Sequence, residues 1–229
     1  RRQWRRRWLS WRYVVVAVLV LALVGTGVYG VWFSAWLDVE EVRVTGVESI
    51  SADEIRERSG VESGTPLARV DLDSAEAKVG ALAEVRRVDV SRSWPDAVVI
   101  EIEERVAIAV VELGGRLRGM DEEGVVFGSY KRAPSNLPRV HTKVSTSAAA
   151  LREGAQVVSA MPESLSLLVD YVEVASIDEI SLVLKDGRRA VWGSADDSAL
   201  KARVLGDLLS TTEAQVYDVS VPSRPATRP

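Results

Sequence analysis

The longest apolar stretch of the chain lies near its start. Residues 13–37 form a run of 25 without a charged side chain, dominated by Val, Leu, Ala and Gly. As a helix that rises about 1.5 Å per residue, the run would be roughly 37 Å long, and the hydrocarbon core of a bilayer is about 30 Å thick. The pattern therefore predicts a tilted transmembrane helix over 13–37.

The residues that flank this run predict its orientation. Segment 1–12 contains six arginines and no acidic residue. The positive-inside rule then predicts that 1–12 is a cytoplasmic segment and that the chain from Asp38 onward lies outside the cytoplasm. A cleaved signal peptide is the alternative, but its apolar region normally has about 7–15 residues and ends in small side chains. This run is longer and ends in Trp32-Phe33-Ser34-Ala35-Trp36, which favours an uncleaved anchor.

After the run, the pattern changes to short strands and amphipathic helices. Val42 and Val44 alternate with polar neighbours, which is the period of two expected of a half-buried strand. Ser51 and Glu54 have the spacing of a capping box, which predicts that the Ser51 hydroxyl accepts from the Glu54 amide at the start of a helix. Gly60 can end that helix in the left-handed conformation.

A second helix and two further strands complete this region. Between residues 71 and 82, one apolar stripe recurs at helical spacing, formed by Leu72, Ala75, Val79 and Leu82. A turn at 93–96 separates two alternating strands, and the second of them has as inward positions Val98, Ile100 and Ile102. The sequence thus predicts a compact unit of two helices and three strands over 38–106.

From residue 107 the sequence is dominated by hairpin signals. Gly114-Gly115 and Asp186-Gly187 supply the positive-φ residues that two-residue hairpins require. Apolar residues at helical spacing predict two helices among the strands, over Ala148–Met161 and Ser198–Leu209.

A last strand is predicted over Val216–Val221, followed by a proline-containing irregular tail over 222–229. The second region is therefore expected to be a β domain over 107–221. The whole pattern predicts an α+β protein with a single N-terminal transmembrane helix, a small domain of two helices on a three-stranded sheet, and a mainly antiparallel β domain with flanking helices.

Composition excludes several classes of protein. The formal net charge is −4, but without segment 1–12 the chain carries 23 basic and 33 acidic side chains, a charge of −10. An acidic body argues against a nucleic-acid partner, because such proteins concentrate Lys and Arg against the phosphates. The absence of cysteine from the sequence excludes disulfides, thiol nucleophiles and thiolate metal sites.

Candidate catalytic groups are few. His141 is the single histidine and lies in a strand-like stretch, without a second His or Cys to share a metal. Paired carboxylates could support glycosidase-type chemistry, and the adjacent acidic groups are Glu101, Glu103 and Glu104 on a strand and Asp121, Glu122 and Glu123 at a predicted turn. We expect the first group to be solvated and the second to be part of a turn. A sequence without a recognisable active site, metal site or cofactor motif predicts a binding protein, with a membrane-anchored envelope hydrolase as the alternative.

The last predicted strand is the candidate interface. An edge strand offers aligned backbone N–H and C=O groups to an incoming strand, and only the tail 222–229 follows Val216–Val221. The alternative is that this strand is an ordinary core strand with neighbours on both sides.

The chain resembles the bacterial cell-division protein family FtsQ, also called DivIB, over nearly its whole length. The most specific stretches are Glu41-Val42-Arg43-Val44-Thr45-Gly46, Gly64-Thr65-Pro66-Leu67, and Val85 to Ala109 with Arg92-Ser93-Trp94-Pro95-Asp96. Ala107 stands where relatives often have proline. The preference for Val, Ala and Arg suggests an actinobacterial relative. A POTRA-bearing secretion or outer-membrane assembly component is the alternative family, but the series of lipid-facing strands of about ten residues that it requires is missing from the sequence.

This resemblance implies a cytoplasmic segment, one membrane span, a POTRA domain and a β domain in a nonenzymatic protein of the division septum. It also implies that the β domain binds FtsB-like and FtsL-like partners by strand addition and that the POTRA domain contacts other divisome components. The predicted partner-binding residues are Tyr217, Asp218, Val219, Ser220, Val221, Ser223 and Arg224. Relatives can carry a basic and an aromatic residue where Ser220 and Val221 stand, so side-chain contacts transfer less well than backbone pairing.

Overall fold

A computed structural model of the 229-residue chain describes residues 11, 13–26, 37–143 and 145–229. Residues 13–26 are helical and form α1. None of the helices in these described ranges is long and apolar enough to cross a membrane. Residues 27–36 of the predicted span, and all of the predicted segment 1–12 except Trp11, lie outside the described residues.

The chain divides between Glu104 and Arg105 into two compact units. Beyond α1, the first unit contains, in chain order, β1 (Glu41–Thr45), α2 (Ala52–Ser59), a 3₁₀ turn (Leu67–Arg69), α3 (Leu72–Gly80), β2 (Val85–Ser93) and β3 (Ala97–Glu104). Its sheet has the order β1-β3-β2, with β1 parallel and β2 antiparallel to β3. Two helices and three strands follow residue 37, as the pattern of apolar positions predicts.

The core of this unit uses the predicted inward positions. Val98, Ile100 and Ile102 of β3 are buried, and the stripe of α3 packs on them through Ala75 and Val79. Leu72 and Leu82, the outer members of that stripe, are only partly buried against the same cluster. The period of two in the strand and of 3.6 in the helix therefore identify the packed faces.

The start of α2 differs in detail from the prediction. Ser51 is the N-cap, but its hydroxyl accepts from the amide of Asp53 at 3.3 Å rather than from that of Glu54. An N-cap oxygen can reach either the second or the third amide of the helix, so the capped helix survives while the predicted capping box is wrong. Gly60 ends α2 with φ of 69°, as predicted.

Glu104, expected to be a solvated strand residue, instead binds the loop before α2. Its Oε1 accepts from the backbone amides of Glu48, Ser49 and Ile50 at 2.8, 3.0 and 3.0 Å, and its Oε2 accepts from the Ser49 hydroxyl. Partial burial raises the pKa of the Glu104 carboxyl, but these hydrogen bonds lower it by more, so the net pKa lies below the ordinary value of 4.5. The carboxylate thus joins the end of β3 to the segment that leads into α2.

The second unit is built on one nine-stranded sheet. Its strands are β4 (Ala109–Leu113), β5 (Arg116–Met120), β6 (Val126–Tyr130), β7 (Arg139–Thr142), β8 (Val169–Val174), β9 (Ile180–Leu184), β10 (Arg189–Gly193), β11 (Val216–Asp218) and β12 (Ala226–Arg228). Their order is β12-β11-β10-β9-β8-β7-β4-β5-β6. The helices of this unit are α4 (Ala148–Ala160), the short α5 (Glu163–Ser166) and α6 (Ser198–Thr211).

This sheet is mixed, so the prediction of a mainly antiparallel domain is wrong. The pairs β4/β7, β7/β8 and β10/β11 are parallel. Parallel neighbours need a long crossover, usually a helix. The chain passes through α4 and α5 between β7 and β8, and through α6 between β10 and β11. The predicted helices are therefore the crossovers of a mixed sheet.

The predicted two-residue hairpin at Gly114-Gly115 is confirmed, with φ of 57° and 74° between β4 and β5. A hairpin also joins β9 and β10, but only Gly187 of the predicted pair has a positive φ, of 90°, and a hydrogen bond from the Leu184 amide to the Arg188 carbonyl closes a loop of three residues instead of two.

We predict that Glu104→Gln destabilises the first unit by about 0.5–1 kcal/mol, a value reduced for the exposure of the carboxylate. Because the folded pKa of Glu104 lies below its unfolded pKa, the ionised group stabilises the fold above the unfolded value. That contribution is lost as the pH falls through the folded pKa. Hydrogen exchange at the amides of residues 48–50 should therefore be faster in the variant at neutral pH and equal to that of the parent protein in strong acid.

Glu101→Gln is the matched control for this prediction, because Glu101 is exposed on the same strand. We expect no change in exchange at 48–50 for this variant. Unchanged exchange in Glu104→Gln at neutral pH would contradict the structural role of the carboxylate.

Candidate functional site

The last part of the chain differs from the prediction. The predicted strand Val216–Val221 is shorter, since β11 ends at Asp218, and the predicted irregular tail contains β12. β12 folds back antiparallel to β11, with Tyr217 opposite Thr227. β11 therefore has β10 on one side and β12 on the other, and the edge of the sheet is the exposed strand Ala226–Arg228.

Tyr217, the first residue of the predicted interface, lies in the core. Its side chain is fully buried. The hydroxyl donates to the carbonyl of Thr212 at 2.7 Å and accepts from the amide of Ala214 at 3.2 Å and from Nη1 of Arg188 at 3.0 Å. The ring also lies under the Arg188 guanidinium at 5.6 Å. This side chain fixes the loop between α6 and β11 and is not available to a partner.

Val219 and its neighbours form the corner where the chain leaves β11. Val219 is buried and its amide donates to the carbonyl of Val191 at 3.0 Å, which extends the contact with β10. The carboxylate of Asp218 accepts from the amide and the hydroxyl of Ser220 at 3.1 and 2.6 Å. Ser220 in turn packs on Gly193, where an added Cβ would lie 3.1 Å from the Ser220 Cβ. Gly193 also has φ of 77°, so this corner depends on glycine.

The remaining predicted residues are accessible. Val221 is 54% exposed, and Ser223 and Arg224 are exposed in the turn between β11 and β12. A hydrogen bond of 2.9 Å from the amide of Arg224 to the carbonyl of Val221 closes the turn. We call Val221, Ser223, Arg224 and β12 together the C-terminal hairpin surface.

A groove of about 790 Å³ adjoins the end of β12. It is lined by Arg188, by residues 209–215 and by Pro229. The Gln215 amide donates to the Arg228 carbonyl at 2.9 Å, so the groove and the edge strand are joined through the backbone. The C-terminal hairpin surface therefore combines an open strand edge with an adjacent concave region.

Arg188 is the basic side chain in the lining of this groove, which also includes the acidic Glu213. Its hydrogen bond to the Tyr217 hydroxyl and its ion pair with Asp186 at 2.7 Å raise the pKa of the guanidinium. The hydrogen bond from the Arg188 amide is the largest cause that lowers the pKa of the Asp186 carboxyl, and the hydrogen bond from the Arg188 guanidinium lowers it further. Arg188 thus remains charged, and its orientation is fixed by a buried phenol and an exposed carboxylate.

The residues considered for catalysis have structural contacts instead. His141 lies on β7, as predicted, where its ring stacks on Tyr171 at 4.0 Å and its Nε2 lies 4.0 Å from a Glu112 oxygen. The carboxylate of Glu103 forms two ion pairs, with Oε1 at 3.4 Å from Nη1 of Arg86 and Oε2 at 3.5 Å from Nη1 of Arg87. Within the described residues, no group of three or more His, Cys, Asp or Glu side chains could hold a metal ion.

Asp121 is a buried structural carboxylate at the predicted turn. It pairs with Arg105, and its Oδ1 accepts from the amides of Glu123 and Val125 at 2.9 and 2.8 Å. The amide of Gly124 donates to the carbonyl of Asp121 at 3.1 Å, which confirms the turn. The carboxylate therefore stabilises the connection between β5 and β6 and joins it to the residue at which the second unit begins.

Sequence reasoning missed β12. Proline at 222 and 225 indicates a break in regular structure, and this signal obscured a three-residue strand between Pro225 and Pro229. Pro225 also favours an extended or turn conformation over a helix at this point, so a return strand was compatible with the pattern.

The chain is similar to known cell-division proteins. A family model described as POTRA domain, FtsQ-type, matches residues 37–105. The chain is 37% identical to cell division protein FtsQ of Streptomyces bingchenggensis, over 94% of this chain and 85% of that protein. It is 32% identical to cell division protein FtsQ of Streptomyces coelicolor, over 93% of this chain and 86% of that protein. It is 29% identical to cell division protein FtsQ of Mycobacterium tuberculosis, over 93% of this chain and 68% of that protein.

We predict that Tyr217→Phe destabilises the second unit by about 1 kcal/mol, because the partly buried Thr212 carbonyl and Ala214 amide lose their partner. Urea unfolding of the full chain in detergent measures this difference. Tyr171→Phe, on a half-buried tyrosine of the same sheet, is the control and should leave the unfolding midpoint nearly unchanged. Equal midpoints for all three proteins would show that the Tyr217 hydroxyl does not stabilise the unit.

We also predict that Asp121→Ala destabilises the second unit by about 3 kcal/mol, because it leaves two amides without their acceptor and leaves the mostly buried Arg105 guanidinium with only its 3.4 Å contact to Glu123. Glu179→Ala, which removes an exposed carboxylate between β8 and β9 of the same unit, should change stability by less than about 0.5 kcal/mol. Thermal unfolding of the two variants compares them directly. A stable Asp121→Ala protein would contradict the structural role.

Proposed function

Because the chain belongs to the FtsQ family of bacterial cell-division proteins, as the resemblance predicted, we propose that it is a nonenzymatic assembly protein of the divisome that binds FtsB-like and FtsL-like partners outside the cytoplasm. In this role it links early and late division components. The relatives in Streptomyces and Mycobacterium agree with the actinobacterial composition. They give no support to the envelope hydrolase.

The open edge of β12 is the observation that supports binding by strand addition. All three residues of β12 are exposed, and β11 is the only strand that pairs with it among the described residues. An edge strand presents every second backbone N–H and C=O to solvent, in the spacing that an incoming strand requires. We therefore propose that the partner adds to β12 and extends the nine-stranded sheet.

The turn beside this edge supplies the side chains of the proposed interface. Val221, Ser223 and Arg224 project from the end of the hairpin at which β12 begins. An exposed Val221 can be covered by an apolar partner residue, and Arg224 adds a cation at the rim. Tyr217, Asp218, Val219 and Ser220 contribute by holding the hairpin in place. This division of roles refines the interface predicted from the sequence.

Membrane attachment completes the proposal. We propose that 13–37 spans the cell membrane with 1–12 in the cytoplasm, so that the POTRA and β domains act outside the cytoplasm at the division septum. The uncharged run and the six arginines before it support this orientation. The POTRA domain would then contact further divisome components close to the bilayer.

Site-directed crosslinking tests the proposed interface. The sequence has no cysteine, so Thr227→Cys and Val221→Cys each give a single site for a thiol-reactive photocrosslinker. In membranes that contain the full chain and its FtsB-like and FtsL-like partners, we expect partner adducts at both positions. The partner strand must lie within a few ångströms of β12 if it extends the sheet.

Ser129→Cys is the matched control. Ser129 is exposed on β6, at the opposite edge of the same sheet. We expect little or no partner adduct there. Adducts at Ser129 with none at Thr227 would place the interface on the other edge, and the absence of adducts at all three positions would contradict partner binding by this sheet.

A further inference from the structure

The chain is fixed to the first unit within two residues of the end of the uncharged run. Asp38 forms an antiparallel bridge with Pro66. Val39 is buried, its amide donates to the Thr65 carbonyl and its carbonyl accepts from the Gly64 amide, both at 2.9 Å. Only Asp38 separates this buried attachment from Leu37, so there is no long linker between run and domain.

The turn between β2 and β3 lies at the same end of the unit. The amide of Glu40 donates to the carbonyl of Asp96 at 2.8 Å, and β1 then runs parallel to β3 from the pair Glu41–Ala97. Arg92, at the base of the turn, donates to the carbonyls of Leu67 and Val70 at 2.9 and 2.6 Å. The turn 93–96 is thus held beside the residues at which the chain enters the domain.

Trp94 is exposed at the tip of this turn. Its side chain is 52% exposed, and it is the only exposed large hydrophobic side chain in the described range 37–104. Pro95 beside it is also exposed. Within 37–104 the other large apolar side chains are buried at least in part, so Trp94 carries the one exposed indole of this range, at the end where the chain enters the domain.

We propose that Trp94 is a second membrane contact of this protein, with its indole ring in the interfacial layer of the lipid bilayer. The inference rests on the proposed membrane anchor over 13–37. The three Cα–Cα steps from Leu37 to Glu40 span at most about 10 Å, and the headgroup layer extends roughly 5–8 Å beyond the hydrocarbon core. The Glu40–Asp96 hydrogen bond therefore keeps the turn near this layer, where tryptophan is favoured. With the span, this contact restricts the tilt of the POTRA domain.

The charges around the turn determine which lipids are required. Asp96 belongs to the turn, Glu40 is joined to it by a backbone hydrogen bond and Asp38 lies two residues before Glu40, whereas Arg92 uses its guanidinium in the hydrogen bonds at the base of the turn. Anionic headgroups would be repelled by these carboxylates. The contact therefore depends on the apolar body and the N–H group of the indole, and it forms on zwitterionic bilayers.

Depth measurement with a spin label tests the contact in the full chain. Ser93→Cys places a nitroxide next to Trp94 and leaves the indole intact, and the sequence has no other cysteine. In phosphatidylcholine vesicles, collisions of this label with an aqueous nickel chelate should be several-fold fewer than for Ala83→Cys, which is exposed before β2 at the opposite end of the sheet. Adding Trp94→Glu should remove the difference, and Trp94→Phe should retain most of it. Trp94→Gln replaces the Glu variant if circular dichroism shows that the charge disturbs the fold.

A label at Ala22→Cys reports the anchor separately. A deep Ala22 label with a Ser93 label as accessible as the Ala83 label would overturn the Trp94 contact and leave the anchor intact. An accessible Ala22 label would overturn both. Protection at Ser93 that persists with Trp94→Glu, or that requires phosphatidylglycerol, would show that the indole is not the group that binds.

Discussion

The β10-β11-β12 end of the nine-stranded sheet depends on the buried hydroxyl of Tyr217. This one oxygen bonds to Thr212, Ala214 and Arg188 and so fixes the loop through which the chain passes from α6 to β11. Loss of this hydroxyl would leave the partly buried Thr212 carbonyl and Ala214 amide without their partner, which costs stability. The position of β11 beside β10, and hence that of β12 beside β11, follows from this arrangement.

The edge strand is consequently supported by the core although its own residues are exposed. Val219 continues the contact with β10, and Ser220 fits against Gly193 at the corner. β12 itself contributes little buried area, since all three residues are exposed. Such a strand can accept a partner without disturbing the packed interior, which suits a surface whose function is assembly.

The first unit is organised around the place where the chain enters it. The Val39 backbone pairs with the Gly64–Thr65 loop, the Glu40 amide pairs with the turn before β3, and Arg92 joins that turn to the 3₁₀ segment. At the opposite end, the Glu104 carboxylate holds the loop that leads into α2. Both ends of the small sheet are thus closed by polar contacts that cross long sequence separations.

Local patterns in the sequence determined α2, α3, α4, α6 and the Gly114-Gly115 hairpin, because helix stripes, strand alternation and positive-φ residues act over a few positions. The family was also readable from the sequence, since its motifs are contiguous. Only the tertiary structure decided that β4, β7 and β8 pair in parallel, that Asp121 and Glu104 bind backbone amides, and that β12 rather than β11 forms the edge. These features join residues far apart in the chain, and their stability comes from burial and hydrogen bonds that exist only once the whole sheet has formed.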